Sequence, residues 1–243
     1  MDVVNESELK TKKFIDRGNF ATVYKVELDG KDYAYKVYND IYPFIQEYAD
    51  YFYKYLNVKY PKEFLINKFF VSSSKGNYLN GYLSCFKDDL KELDFIYVSL
   101  EEKIKALKKA KKLLEFLHKN YGFVHGDIHG ANLLFDKNNN PYYLDFDTMF
   151  KSTVGPTYFS VFSTLAEYYI YYYGADCNLD KYLFNITTVA LLENISENDV
   201  FEYLKNTDDI RWLSNKDVKK LSKELLLTDV RHNYSGEYIV DHL

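Results

Sequence analysis

The stretch from Phe123 to Asp147 constrains the fold more than any other part of the chain. Three short apolar runs, Phe123-Val124, Leu133-Leu134-Phe135 and Tyr142-Tyr143-Leu144, alternate with polar turns. Each run is too short for a helix and reads as strand-like backbone bounded by turn residues. The first turn is His125-Gly126-Asp127-Ile128-His129-Gly130-Ala131-Asn132, and the second is Asp136-Lys137-Asn138-Asn139-Asn140-Pro141. A carboxylate and a carboxamide, Asp127 and Asn132, therefore share one tight glycine-containing loop, and a further carboxylate, Asp145, emerges directly from the next apolar strand.

The flanking regions differ in kind. The first third reads mainly as strand: Phe14-Ile15 leads to Gly18-Asn19, then Val23 to Val26, the Asp29-Gly30 turn, and Tyr33 to Val37. Asp-Gly between two such runs is a hairpin signal, because the turn needs positive φ. A helix is expected over roughly Ile41 to Leu56, then strands near Phe64–Val71 and Tyr78–Phe86 around a Ser72–Asn77 turn. Beyond residue 90 the pattern is helical. Ser99 and Glu102 stand at capping-box spacing, and Leu100, Ile104, Leu107, Leu114 and Leu117 fit one helical face that ends near Tyr121-Gly122. The apolar run Tyr158–Tyr173 reads as a helix buried on all sides. Ser196 with Asp199 and Ser214 with Asp217 open two shorter helices. The expected fold class is α+β, with residues 1–86 as an N-terminal antiparallel sheet plus one helix and residues 87–243 as a mainly helical C-terminal part.

Composition narrows the partners. The 243 residues carry a net charge of −5 with no basic tail, which disfavours nucleic acid, whose binding draws most of its affinity from phosphate contacts. Lys103, Lys105, Lys108, Lys109, Lys111 and Lys112 share a segment with spaced leucines and read as the solvated face of a helix. Cys85 and Cys177 make no disulfide framework. The N-terminal residues lack the charge and apolar core of a signal peptide, and Tyr158–Tyr173 is too short and too polar for a comfortable membrane span. A reducing cytoplasm and no membrane partner are expected. The 26 Tyr and 18 Phe read as a coding bias rather than as chemistry.

The loop residues suit a metal-nucleotide complex. Mg²⁺ takes hard oxygen ligands and keeps several waters, so one carboxylate and one carboxamide from the protein suffice. A second carboxylate can orient an attacking hydroxyl, and phosphoryl transfer asks for little beyond positioning and charge neutralisation. Singly, Asp127 reads equally well as a turn residue, Lys36 as an edge-strand charge and Asn132 as a turn cap. Their joint order carries the functional reading.

His125-Gly126-Asp127-Ile128-His129-Gly130-Ala131-Asn132, followed by Tyr143-Leu144-Asp145-Phe146-Asp147, resembles the catalytic and metal-binding segments of the protein-kinase-like superfamily. The resemblance implies a two-lobed kinase fold, ATP, and magnesium with manganese as an alternative. It makes Asp127 the base or hydroxyl-orienting residue and Asn132 and Asp145 the metal ligands. It makes His125 structural and leaves His129 as a residue for the γ-phosphate or the acceptor. Upstream, Asp16 to Val26 is similar to the glycine-rich loop, with Gly18 kept and Asp16 and Ala21 in the outer glycine positions. Gly18, Asn19, Phe20, Ala21 and Val23 are its nucleotide-side residues. Tyr33-Ala34-Tyr35-Lys36 resembles the family's lysine strand, so Ala34 lines the nucleotide and Lys36 meets the α- and β-phosphates. Glu47, favoured over Glu63, is the helix partner of Lys36.

Three departures bear on the acceptor. Gly126 stands where regulated protein kinases carry an Arg that pairs with activation-loop phosphate. About a dozen residues separate Asp147 from the helix expected near Tyr158, which leaves little room for a peptide platform. The region after Gly174 is small. The N-terminal match favours a protein Ser/Thr hydroxyl as acceptor, the catalytic loop is also similar to aminoglycoside and choline kinase relatives, and a nucleotide-binding pseudokinase is the third reading.

Overall fold

The computed structural model describes residues 3–18, 21–43, 58–73, 78–93, 99–156, 162–206 and 237–243. The chain divides into two compact units, Met1–Asp88 and Asp89–Leu243.

The first unit is one six-stranded sheet. Its strands are β1 (Val3–Asn5), β2 (Lys10–Arg17), β3 (Ala21–Leu28), β4 (Lys31–Pro43), β5 (Asn67–Ser72) and β6 (Tyr78–Cys85), in the order β1-β5-β6-β4-β3-β2. All neighbours are antiparallel except β1 and β5. The Asp29-Gly30 turn forms as expected, with φ of 52° and 75°, and brings Leu28 opposite Lys31. Two positive φ values match the strand twist, which is why Asp-Gly closes this hairpin. Alternation then sorts the side chains: Val26, Leu28, Tyr35, Val71 and Leu83 form a buried cluster with Val4. Fully burying one such aliphatic side chain stabilises by about 1.5–3 kcal/mol.

Gly81 allows β6 to approach β4. A Cβ there would lie 1.8 Å from the Lys36 carbonyl oxygen, a backbone atom that cannot swing aside. Gly81→Ala is therefore expected to push β4 away at Lys36 and Val37. The expected stability loss is about 1–3 kcal/mol, from strain of the overpacking kind, read from the urea midpoint. A midpoint equal to that of the parent chain would contradict this reading of the contact.

The sequence expectation of a helix from Ile41 is corrected at its start, because β4 runs on to Pro43, where Tyr42 and Pro43 pair with Leu79 and Tyr78. The rest of that helix, with Glu47, lies outside the described residues. So do Asn19, Phe20 and the Ser214–Asp217 capping signal. Strand β5 starts at Asn67 rather than Phe64, and Glu63 sits in the turn before it.

The second unit is built on α1 (Leu100–Tyr121). Ser99 Oγ accepts the Glu102 N–H at 3.3 Å while Glu102 Oε2 accepts the Ser99 N–H at 3.0 Å, so the expected capping box forms. Gly122, at φ 66°, ends the helix by donating its N–H to the His118 carbonyl. Leu107, Leu114 and Leu117 are fully buried, but Leu100 is 42% exposed because it stands in the first turn, before the helix meets the core. Lys105, Lys109 and Lys112 face solvent, and Lys111 pairs with Asp241 at 2.6 Å.

Four short strands follow: β7 (Phe123–Val124), β8 (Leu133–Phe135), β9 (Pro141–Tyr143) and β10 (Phe150–Lys151). They pair as β7 with β10 and β8 with β9. Then come α2 (Thr164–Tyr173), α3 (Cys177–Glu193) and α4 (Glu197–Asn206). The expectation of a helix over Tyr158–Tyr173 buried on all sides is corrected over its described part, residues 158–161 lying outside the described residues. Helix α2 begins at Thr164, and Tyr171 and Tyr172 are 81% and 58% exposed. The buried helix is α3, where Leu179, Phe184, Ile186 and Val189 are completely inaccessible. Asp180, Asn185, Thr187 and Thr188 are buried beside them. Asn185 is satisfied by the C-terminal segment, donating to the Glu237 carbonyl and accepting the Ile239 N–H. Ser196 caps α4 by accepting the Asp199 N–H, as its spacing predicts.

Candidate active site

Two groups of the expected site residues are assembled, one in each unit. In the first, β3 and β4 pair Ala21 with Tyr38, Val23 with Lys36, and Lys25 with Ala34. Residues directly opposite share a face, as do alternate residues along a strand. Ala21, Val23, Ala34 and Lys36 therefore lie on one face of the sheet, and the Tyr35–Leu83 core lies on the other. Lys36 is half-buried, with its Nζ 5.6 Å from the centre of the Tyr82 ring. The Gly18 N–H donates to the Ala21 carbonyl at 2.9 Å and closes the turn between β2 and β3. Asp16 lies within β2, its Oδ1 accepting the Arg17 N–H at 2.7 Å.

The second group is the loop between β7 and β8. Asn132 Nδ2 donates to both the Asp127 carbonyl, at 2.9 Å, and Asp127 Oδ2, at 3.0 Å. Those bonds fix the carboxamide orientation and turn its oxygen away from Asp127. Asn132 also accepts the Leu144 N–H on its main-chain oxygen at 3.0 Å, which places Asp145 beside it in the chain. Asp145 has left-handed backbone, φ 60° and ψ 67°, an uncommon conformation for a residue with a Cβ. Asn132 and Asp145 carry hard oxygens of the kind that suits Mg²⁺, which keeps waters and phosphate oxygens for its other positions. Among the described residues there is no group of three or more His, Cys, Asp or Glu that could hold a metal ion, so a dedicated all-protein cage is not what these residues offer.

His125 joins the two segments. The Asp127 N–H donates to its Nδ1 at 3.3 Å, so the ring proton is on Nε2, which donates to the Leu144 carbonyl at 2.8 Å. The ring packs 4.6 Å from that of Phe146, and the Thr148 hydroxyl donates to the His125 carbonyl. Gly126 has φ 84°, and a Cβ there would meet Phe162 at 3.1 Å and the Thr148 carbonyl at 3.2 Å. The missing Arg is thus a steric and conformational requirement of this loop.

His129 Nε2 stands 3.6 Å from Asp127 Oδ2. Burial disfavours its charge, but the Asp127 carboxylate, with Glu197 and Asp145 behind it, outweighs that and raises the imidazole pKa.

Sequence reasoning missed two residues that hold this loop. Asp180, in the first turn of α3, is completely buried. Its Oδ2 accepts the His125 N–H at 2.7 Å and lies 2.8 Å from His118 Nε2, and its Oδ1 accepts the Gly126 N–H at 2.8 Å. Glu197, the first residue of α4, accepts the Gly130 N–H on Oε1 at 2.8 Å. Neither stands in a local motif. The one available signal was an acidic residue in the first turn of each helix, which reads equally well as a favourable dipole interaction.

The model of the phosphotransferase enzyme family, APH, matches residues 82–177, less than half of the chain but including the whole Phe123–Asp147 stretch. No curated protein matches the chain at a significant level. Over residues 82–177 the chain is similar to the APH phosphotransferase family, and its sheet-built first unit and mainly helical second unit are of α+β class.

Proposed function

We propose that the protein is an ATP-dependent kinase that transfers the γ-phosphate to the hydroxyl of a small molecule. The observation that carries this is the Asp127–Asn132 pair: Nδ2 fixes the carboxylate while the carboxamide oxygen stays directed elsewhere. Asp127 Oδ2 then orients the acceptor hydroxyl and takes its proton as the new phosphorus–oxygen bond forms and the bond from the γ-phosphorus to the β-bridging oxygen breaks, with ADP as the leaving group. Asn132 Oδ1 and Asp145 would hold the metal, which would neutralise phosphate charge when bound. Lys36, on a face shared with Ala21, Val23 and Ala34, serves the α- and β-phosphates as a point charge.

The sequence placed a protein Ser/Thr hydroxyl first among acceptors. The matching phosphotransferase family moves the weight to a small-molecule acceptor. Gly126, which forecloses an Arg at that place, supports the same choice. A cytoplasmic setting accords with this reading. Cys85 and Cys177 are free thiols, and among the described residues no helix is long and apolar enough to cross a membrane.

Asp145→Ala tests the metal half of the proposal. Titration calorimetry with ATP is expected to show affinity in Mg²⁺ falling by about tenfold or more, with affinity in EDTA little changed. Equal Mg²⁺-dependent affinity in both proteins would remove Asp145 from the metal site.

A further inference from the structure

Glu197 touches none of the residues proposed to react, yet it reaches the loop that carries them. Its carboxylate extends from the N-terminal residue of α4 to the Gly130 N–H, 67 positions earlier in the chain. Gly130 follows His129 directly and opens the single 3-10 turn Gly130–Asn132 that ends on the Asp127-clamping carboxamide. The N–H groups at the start of such a turn have no partner within it, so an outside acceptor decides how the turn is held. The approach is close: a Cβ on Gly130 would lie 3.3 Å from Glu197 Oε1 and 3.8 Å from Leu191 of α3. The loop is thus held at both ends from the helices, at His125 and Gly126 by Asp180 and at Gly130 by Glu197. Thr187 adds a weaker hold between them, its hydroxyl donating to the Ile128 carbonyl at 3.3 Å.

We propose that Glu197 is a positioning residue, which sets His129 and Asn132 for phosphoryl transfer by fixing the Gly130 main chain. This rests on the reading of Asp127 and Asn132 as the transfer machinery. The bond needs an acceptor oxygen at the end of a side chain of this length. Gln provides one without charge. Asp keeps the charge and suits a helix N-terminus, but it is a methylene short.

The test uses the full chain with Mg-ATP, and ADP release to water as acceptor is the probe. Peptide-level hydrogen exchange over residues 127–132 is read alongside. Glu197→Asp is expected to lower kcat about tenfold or more with KM for ATP unchanged, because small misplacements of a reacting loop are costly. It is also expected to speed exchange at the Gly130 amide. Glu197→Gln is expected to restore both to near parent values. Unchanged exchange and kcat in Glu197→Asp would overturn the proposal, as would equal losses in Asp and Gln. The transfer reading itself is tested separately, with hydroxyl-bearing acceptors; if the parent chain releases no ADP to water, kcat drops out of this test. The Gly130 exchange of the two variants then decides the positioning claim alone.

Discussion

Asp127→Asn is expected to bind Mg-ATP like the parent chain and to turn over roughly 10²–10⁴-fold more slowly, the range that positioned acid–base groups contribute. The substitution is isosteric, so the loop has no steric reason to move. The main-chain bond from Asn132 Nδ2 to the residue 127 carbonyl survives, and the new amide oxygen can take the other bond, now at 3.0 Å to Oδ2. That assignment leaves an NH₂ group facing the acceptor. An NH₂ group cannot accept the hydroxyl proton, and it presents a donor where a lone pair is needed. The substitution leaves Asn132 and Asp145, the proposed metal ligands, unchanged, so nucleotide affinity measures a different part of the proposed site. Steady-state kinetics beside ATP titrations separate the two effects, and unchanged turnover would withdraw the role given to Asp127.

Asp180→Asn is expected to lower stability by about 1–3 kcal/mol, and Asp180→Ala by more, because it leaves both main-chain donors without an acceptor. Two main-chain N–H groups converge on the two carboxylate oxygens, and His118 Nε2 shares Oδ2 with one of them. A carboxamide has one acceptor oxygen, so at least one N–H of His125 or Gly126 would face an NH₂ group inside the core. A buried donor left unsatisfied costs about 1–3 kcal/mol. Gly126 cannot relax outward, because its left-handed backbone is packed against Phe162 and Thr148. Activity should fall with stability in both variants, since the same two residues lead into Asp127. Denaturant unfolding checks the claim. A full-stability Asp180→Asn variant would show that the loop does not depend on this carboxylate.

The parts of the fold legible in the sequence are those governed by local physics. Asp29-Gly30 closes a hairpin because of its own dihedral preferences, and Ser99 with Glu102 opens α1 through bonds within one turn. The Phe123–Asp147 stretch was legible as three apolar runs separated by polar turns, and it brings Asp127, His129, Asn132 and Asp145 together as a consequence of chain order. What was not legible depends on distant partners. Helix α3 was not singled out in the sequence, and its buried Asp180, Asn185 and Thr187 are satisfied by bonds to residues 52–59 positions away. Tyr171 and Tyr172 looked like core because apolar rings score as buried, yet they face solvent. The need for glycine at 81 and 126 is set by the Lys36 and Thr148 main chains, which no local pattern encodes.

The central claim is transfer of the γ-phosphate to a small hydroxyl compound under the control of Asp127. The direct measurement is ³¹P NMR of the parent chain and Asp127→Asn with Mg-ATP. Each is incubated with a panel of hydroxyl-bearing small molecules and, separately, with generic protein substrates. The account predicts a phosphomonoester signal on a small molecule, dependent on Mg²⁺ and lost in Asp127→Asn. Transfer to protein alone, or ATP binding with no transfer to any acceptor, would contradict it.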